Sequence, residues 1–327
     1  MIEFDGVSKT YQDGTTAIED LSFVVEEGTT TVLVGPSGCG KTTTMKLVNR
    51  LEDPTEGTIS VGGVDNQELD EIELRRDVGY VIQEIGLFDH LSVGENVGTV
   101  PDLLGWDRDR IDDRVDELLE LMGLPEEVRD DNPRSLSGGQ RQRVGVARAL
   151  AADPEVLLMD EPFGALDPIT RERLQNEFLD IQQRINTTIL FVTHDIDEAL
   201  KMGDRIAIFD VGELVQYDTP QELLANPKSA FVGDFIGENQ AYKRLSITPV
   251  REVMRTPDDG RTPADGGTAM ANEGSEESLA LDDSSQTALT ELLRQNATEL
   301  PVVEDGEVVG VVTESRIRSF FESAEER

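Results

Sequence analysis

Basic residues are scarce in this chain, and lysine scarcest. Of 327 residues only 29 are Lys or Arg, six of them lysines, against 67 Asp plus Glu, which leaves a formal charge of −38. So acidic a surface repels the phosphates that dominate nucleic-acid affinity, so no nucleic-acid partner is expected. Cysteine is nearly absent as well: a lone Cys39 excludes an intrachain disulfide and fits a reducing compartment. Long apolar runs are missing. Stretches such as 156–159 and 189–192 fall far short of the ~20 residues a membrane span needs. The opening Met1-Ile2-Glu3-Phe4-Asp5 carries neither a basic stretch nor an apolar signal core, so no secretory signal is expected. The expectation is a soluble chain whose membrane role, if any, comes through a partner.

The acids are spread over the whole chain. In dilute buffer such a surface repels itself and weakens the compact state. In molar salt the screening length shrinks to ~3 Å and the same surface is tolerable. The pattern fits adaptation to high internal salt.

Apolar residues make up 37% of the chain, enough for a real core, and the length suggests two domains. Residues 1–246 alternate short β-rich runs with helical patterns, which reads as α/β with a mostly parallel sheet. Strands are predicted at 31–34, 78–82, 156–159, 188–192 and 205–209. Ile111, Val115, Leu118, Leu119 and Met122 have helical spacing. Residues 258–278 are rich in Gly, Asp, Glu, Ser and Thr and read as a flexible insertion within 247–327. Beyond it, 287–295 is helical by pattern. Two apolar strands around Asp305-Gly306 then form a hairpin signal.

Gly35-Pro36-Ser37-Gly38-Cys39-Gly40-Lys41-Thr42 matches a phosphate-binding loop and follows a predicted strand, with the helical Thr43 stretch after it. Glycines let the backbone aim N–H groups at phosphates, Lys41 supplies a point charge, and Thr42 can ligate Mg²⁺. Cys39 fills a variable slot and reads as structural or incidental, not redox-active. Val156-Leu157-Leu158-Met159-Asp160-Glu161 is an apolar strand ending in two acids. There Asp160 can hold the metal shell and Glu161 can polarise a water. In so acidic a chain Asp-Glu alone says little; the strand and its pairing with the phosphate loop carry the argument. Leu136-Ser137-Gly138-Gly139-Gln140 places a natural N-cap, Ser137, before a helix running from about Arg141 to Ala151, a start able to bind phosphate.

That order of motifs resembles the ATP-binding cassette (ABC) ATPases over essentially all of residues 1–246. The resemblance implies a P-loop NTPase fold with a RecA-like core, an antiparallel β subdomain and a helical subdomain, using ATP and Mg²⁺. It implies that Tyr11 stacks on adenine, the alternative being a half-buried strand tyrosine. Gln83 would contact the metal and the water. Asp167, in Gly164-Ala165-Leu166-Asp167, would lie in a loop crossing a dimer interface. His194, in Thr193-His194-Asp195, would be the switch histidine that assists Glu161 as general base. His90 has no such support and reads as a surface or permease-facing residue. Two cassettes would pair head to tail, ATP on Lys41 of one copy being capped by Ser137 and Gly139 of the other. Residues 84–97 would dock a permease.

Ile85-Gly86-Leu87-Phe88-Asp89-His90, Leu103-Leu104-Gly105-Trp106 and Asp195-Ile196-Asp197-Glu198-Ala199-Leu200 are similar to the ATPase subunits of glycine betaine, choline and carnitine importers. Asp89 stands where that family has proline, a change expected to loosen the loop. Val250-Arg251-Glu252-Val253-Met254 and residues 300–317 resemble one cystathionine-β-synthase (CBS) repeat, a small α+β region. A single repeat is expected to need a second copy to bury its strands, which would pair the CBS segments of two chains. The implied protein is a peripheral ATPase at the cytoplasmic face of the cell membrane, with permease subunits and, indirectly, an extracytoplasmic solute-binding protein. Another small solute is the alternative substrate. A soluble ABC ATPase of translation or DNA repair is the alternative class, disfavoured by one motif set, no heptad run and the acidity.

If the charge is salt adaptation, thermal melts should rise steadily from dilute buffer to molar KCl as repulsion is screened. A flat or falling melting temperature would refute that reading.

Overall fold

The computed structural model describes residues 1–83, 85–237, 240–256, 278–304 and 306–325. They pack as two compact units, Met1–Thr219 and Pro220–Arg327. The expected insertion at 258–278 and the turn residue Asp305 lie outside the described residues, apart from Ser278.

The first unit holds two sheets. Strands β1 (Ile2–Thr10), β2 (Thr16–Val25), β4 (Glu56–Val61) and β5 (Val64–Asp65) form an antiparallel sheet in the order β2-β1-β4-β5. Its alternating pattern buries Ile2, Phe4, Leu21, Phe23 and Ile59 on one face. The second sheet contains β3 (Thr30–Val34), β6 (Val78–Val81), β7 (Val156–Asp160), β8 (Thr188–Thr193), β9 (Arg205–Asp210) and β10 (Glu213–Asp218), in the order β10-β9-β3-β8-β7-β6. From β9 through to β6 every neighbouring pair is parallel, and β10 closes that edge antiparallel. The residues of β3, β7 and β8 are all buried, the mark of strands covered on both faces. The five predicted strands are therefore present, ending within a residue or two of their expected bounds.

Helices α1 (Lys41–Val48) and α2 (Glu71–Asp77) lie before β6 in the chain. A helical portion follows: α3 (Val93–Val97), α4 (Thr99–Leu103), α5 (Arg108–Leu121) and α6 (Gly138–Leu150). Val115, Leu118, Leu119 and Met122 are buried, as their spacing requires. Helix α6 starts three residues earlier than expected. Ser137 and Gln140 form a capping box, Ser137 Oγ accepting from Gln140 N at 3.3 Å and Gln140 Oε1 accepting from Ser137 N at 3.0 Å. Helices α7 (Pro168–Gln182) and α8 (Ile196–Met202) complete the unit.

Arginine's planar fork has a use here that lysine's point charge does not serve as well. Arg143 donates to the carbonyls of Met122 and Gly123 (3.0 and 3.2 Å) just beyond α5. Arg114 donates to the carbonyls of Leu150 and Ala151 (3.0 and 3.4 Å) where α6 ends. These are the orphan acceptors of helix C-termini.

Asp89 does not loosen its loop. Its carboxylate accepts from Arg134 at 2.7 Å and its carbonyl from Asn132 Nδ2 at 2.7 Å. The loop is anchored further by Asn96, whose Oδ1 accepts from Phe88 N (2.7 Å) and whose Nδ2 donates to the carbonyls of Phe88 (3.1 Å) and Ser92 (2.8 Å).

The second unit begins with α9 (Pro220–Ala225), α10 (Ala230–Ile236), α11 (Gln240–Ile247) and α12 (Val250–Val253). Strands β11 (Leu279–Ala280), β12 (Leu300–Glu304) and β13 (Glu307–Val312) form one sheet, flanked by α13 (Ser285–Gln295) and α14 (Glu314–Glu325). The hairpin is present. The expectation that its strands need a second copy is not met: Leu300, Val302 and Val312 are buried against Val250, Val253, Ala288, Leu292 and Ile317 of the same unit. Val308, two residues before the buried Gly310, is exposed because the register shifts between Val302 and Val303 and pairs Val303 with Val308.

Asn96 is fully buried with its amide satisfied. Asn96→Ala leaves Phe88 N without its acceptor and removes the amide's bonds to the Phe88 and Ser92 carbonyls, so it should lower the cassette's stability by about 2 kcal/mol. The check is a urea titration in which the midpoint falls at unchanged slope.

Candidate functional site

Four neighbouring strands deliver the site. In the order β3-β8-β7-β6, each ends at the same edge of the sheet and hands over to a functional residue. Ligand sites of open α/β sheets lie at this carboxyl edge.

The loop from β3 to α1 is shaped by close approach. A Cβ on Gly35 would lie 2.3 Å from the carbonyl oxygen of Phe209, so no other residue fits there. Lys41 is buried at the loop's centre, Nζ donating to the carbonyls of Gly35 and Pro36 at 2.8 and 2.9 Å and lying 3.5 Å from Cys39 Sγ. Cys39 is buried in the core, in keeping with its structural reading. Gly38 and Gly40 take positive φ, and Gly40 is the N-cap of α1, so the free N–H groups of that helix open from the loop holding Ser37 and Pro36. Tyr11 is brought to the same helix, its hydroxyl 3.3 Å from Thr43 Oγ1.

Thr42 Oγ1 donates to Asp160 Oδ1 at 3.2 Å, joining the loop to the end of β7. Burial pushes the Asp160 carboxyl above its usual range; the Thr42 bond opposes that, the Glu161 charge adds to it, and Lys46 and Lys41 pull it back. Tyr80 on β6 is pushed up to about 12 by its own burial and the charge of Asp160. A buried carboxylate with a hydroxyl beside it suits a hard cation that takes its remaining ligands from substrate phosphates and water. Among the described residues no three His, Cys, Asp or Glu side chains form a metal cluster by themselves.

Glu161 takes φ = +45°, a conformation non-glycine residues seldom adopt. Strain of this kind persists where the surroundings over-determine it, and here they do. Its N–H donates to the carbonyl of Val192 on β8 at 3.0 Å. Its Oε2 accepts from Gln83 Nε2 at 3.2 Å, and its Oε1 lies 3.3 Å from His194 Nδ1. One carboxylate is thus held between two side chains arriving from β6 and β8. His194 stays more than half exposed (56%). His90 is exposed and packs edge-on to Phe88, away from this cluster.

The loop after Glu161 turns back over it, Gly164 N donating to the Glu161 carbonyl at 3.1 Å, and ends at Asp167. Asp167 caps α7 by accepting from Thr170 N at 3.1 Å; these bonds from Thr170 hold its carboxyl below the usual range. Ser137, Gly138, Gly139 and Gln140 form a separate cluster at the start of α6 and touch α7: a Cβ on Gly139 would lie 3.2 Å from Leu174 Cδ1. Tyr11, Lys41, Thr42, Gln83, Asp160, Glu161 and His194 are therefore gathered along one edge, while the Ser137 turn stands with Asp167 on α7.

Sequence reasoning gave no role to Arg171, Gln175 or Glu198. One signal was available for Gln175, a polar residue on a helix face otherwise made of Leu174, Phe178 and Ile181. A buried Glu198 has no mark in so acidic a sequence.

Residues 18–164 match the ABC transporter family and residues 276–323 the CBS domain family. The chain is 46% identical to a carnitine transport ATP-binding protein of Listeria monocytogenes, over 94% of its own length and 74% of that protein's. It is 47% identical to a glycine betaine uptake system ATP-binding protein of Escherichia coli, over 93% and 94% of the two. A solved dimeric ATP-binding cassette, in a post-hydrolysis state bound to ADP and phosphate, matches 67% of this chain and 99% of its own at TM-score 0.60 and 34% identity. A phosphate loop, an acidic strand end and a helix capped by Ser137 before two glycines, followed by a CBS segment, place the chain in the family of ABC transporter ATP-binding subunits.

Proposed function

We propose that this chain, as an ATP hydrolase, drives uptake of a quaternary ammonium osmolyte such as glycine betaine, choline or carnitine. The observation that carries the hydrolytic part is the Glu161 carboxylate pinned between Gln83 and His194 beside the Thr42–Asp160 pair. Lys41 and the backbone N–H groups of 35–43, Pro36 excepted, receive the β- and γ-phosphates, and Tyr11 stacks on adenine. Thr42, Asp160 and Gln83 hold Mg²⁺, which when bound neutralises the charge between the phosphates. Glu161 takes a proton from the attacking water, and His194 orients that carboxylate and faces the γ-phosphate. Ser137, Gly138, Gly139 and Gln140 of a second copy cap the phosphates, with Asp167 at the seam between copies.

The functional division is a cassette at 1–246 and a CBS-like regulatory region at 247–327. Among the described residues no helix is long and apolar enough to cross a membrane. The partners are permease subunits, with an extracytoplasmic solute-binding protein behind them, as the similarity to importer ATP-binding proteins supports. The permease contact falls on the stretch 84–97, beside a groove of about 710 Å³ that α3, α5 and Trp106 line. The protein works as a peripheral subunit on the cytoplasmic face. Solute choice is tested by uptake of labelled glycine betaine, choline and carnitine in cells with and without the gene. Equal uptake in both would overturn the osmolyte reading.

Glu161→Gln should keep ATP binding, lower turnover by about 10²–10⁴-fold and trap an ATP-bound dimer, whereas Lys41→Ala should lose binding itself. Turnover near wild type in Glu161→Gln removes it from the base role.

Asp160 gives a prediction with a sign. Its carboxyl is pushed up by burial, so the folded state holds that proton more tightly than the unfolded state, and stability is lost as pH rises through the raised value. Without nucleotide, Asp160→Asn should melt higher than wild type at neutral pH, the gap closing on acidification. With Mg·ATP the order should reverse, since only the carboxylate binds the cation. Melting curves at several pH values, with and without Mg·ATP, check both halves.

A further inference from the structure

Behind the Glu161–His194 pair lies a second cluster that binds the turn carrying His194 to α7. The turn is closed on itself first. Asp195 N donates to Thr193 Oγ1 at 3.1 Å, and Asp195 Oδ1 accepts from Asp197 N and Glu198 N at 2.9 and 3.3 Å, capping α8.

Two side chains of α7 then grip it. Arg171 places one guanidinium nitrogen 3.7 Å from Asp195 Oδ2, while the other donates to the Leu166 carbonyl at 3.3 Å. One planar fork thus joins the residue after His194 to the residue before Asp167. Gln175 donates to Glu198 Oε1 at 2.8 Å and accepts from Lys201 at 3.3 Å, so its amide has one orientation. Glu198 and Gln175 are 5% and 7% exposed. Burial pushes the Glu198 carboxyl up, against its bonds to Thr193 and Gln175. A buried carboxylate is costly, and stability alone gives little reason to keep one.

The cluster borders the reacting groups. A cavity of about 10 Å³, room for one water, is lined by Glu161, His194, Arg171 and Glu198 together. About 100° round the helix, the face of α7 carrying Thr170 touches the Ser137 turn: a Cβ on Gly139 would lie 3.4 Å from Thr170 Cγ2, and one on Gly138 3.8 Å from Leu166 Cδ2, just before the helix. The first two turns of α7 therefore contact both the Ser137 turn and the His194 turn.

We propose that Arg171 and Glu198 are positioning residues, locking the His194 turn to the first two turns of α7 so that displacement at the Ser137–Asp167 face moves His194 against Glu161. This rests on the reading of Glu161 as base with His194 as its partner. Neither positioning residue is among the residues assigned to ATP. They act through His194, and their effect should vanish when His194 is gone.

The test is a double-mutant cycle in the full-length chain with Mg·ATP, reading kcat and KM separately. Arg171→Met should lower kcat about tenfold with KM for ATP within about twofold. In a His194→Ala background the same change should leave kcat within about twofold, because coupled residues do not add. Glu198→Gln keeps the volume and an acceptor for Gln175 while losing the charge that faces Arg171. It serves as the second variant if Arg171→Met fails to fold, with the same loss of effect expected in the His194→Ala background. If His194→Ala alone turns over like wild type, the reading of the site fails and the positioning role with it. If His194→Ala is slow and either variant slows it again by its full factor, only the positioning role is wrong. A rise in KM at constant kcat would also overturn it, since it would place these residues in nucleotide binding.

Discussion

Parallel pairing of β3, β8, β7 and β6 is the constraint on which the site depends. Parallel strands end at a common edge, and each must cross over before the next can pair. Every strand therefore hands its chain to a loop on the same side. Lys41, His194, Glu161 and Gln83 follow those four strand ends, spaced by the sheet itself. Burial of β3, β7 and β8 on both faces keeps that edge stiff enough to hold Glu161 at φ = +45°.

The same arrangement explains the charges. Asp160 is carried into the interior because β7 is covered on both faces, and only Thr42, Lys41 and Lys46 ease that burial. The result is a carboxylate poorly satisfied without a cation. Glu161, one residue on, has left the strand and is held by side chains instead of by the interior. Two adjacent acids thus acquire different tasks from one change of environment.

A chain with few lysines and many carboxylates still needs cations at its helix ends. Arg114 and Arg143 supply them by forking onto backbone carbonyls, while among the described residues Asp160 and Glu198 are the buried acids. The anchored Asp89 belongs to the same economy of charge, tied to Arg134 where a more rigid residue was expected. In the second unit the period-2 pattern of β12 and β13 is enough to bury one face on its own helices, which is why a lone CBS segment holds together here.

Much of this was legible in the residues. The glycine spacing before Lys41 fixes a phosphate loop because only glycine tolerates the required approach of backbone to backbone. Apolar runs of four or five residues locate the strands, and Ser137 marks a helix start, although the reciprocal bond with Gln140 that puts that start three residues earlier needed coordinates. Strand order was not legible. The chain meets β3, β6, β7 and β8 in that sequence, while the sheet sets them as β3-β8-β7-β6, which puts His194 between Lys41 and Glu161. The partners of Arg171 and the burial of Glu198 were hidden for the same reason. A side chain's contacts depend on residues far along the chain, and local periodicity reports which face is buried but not what covers it. The sequence by itself determined which groups can do the chemistry. The crossovers of the parallel sheet decided which of them meet, because pairing is settled by long-range packing.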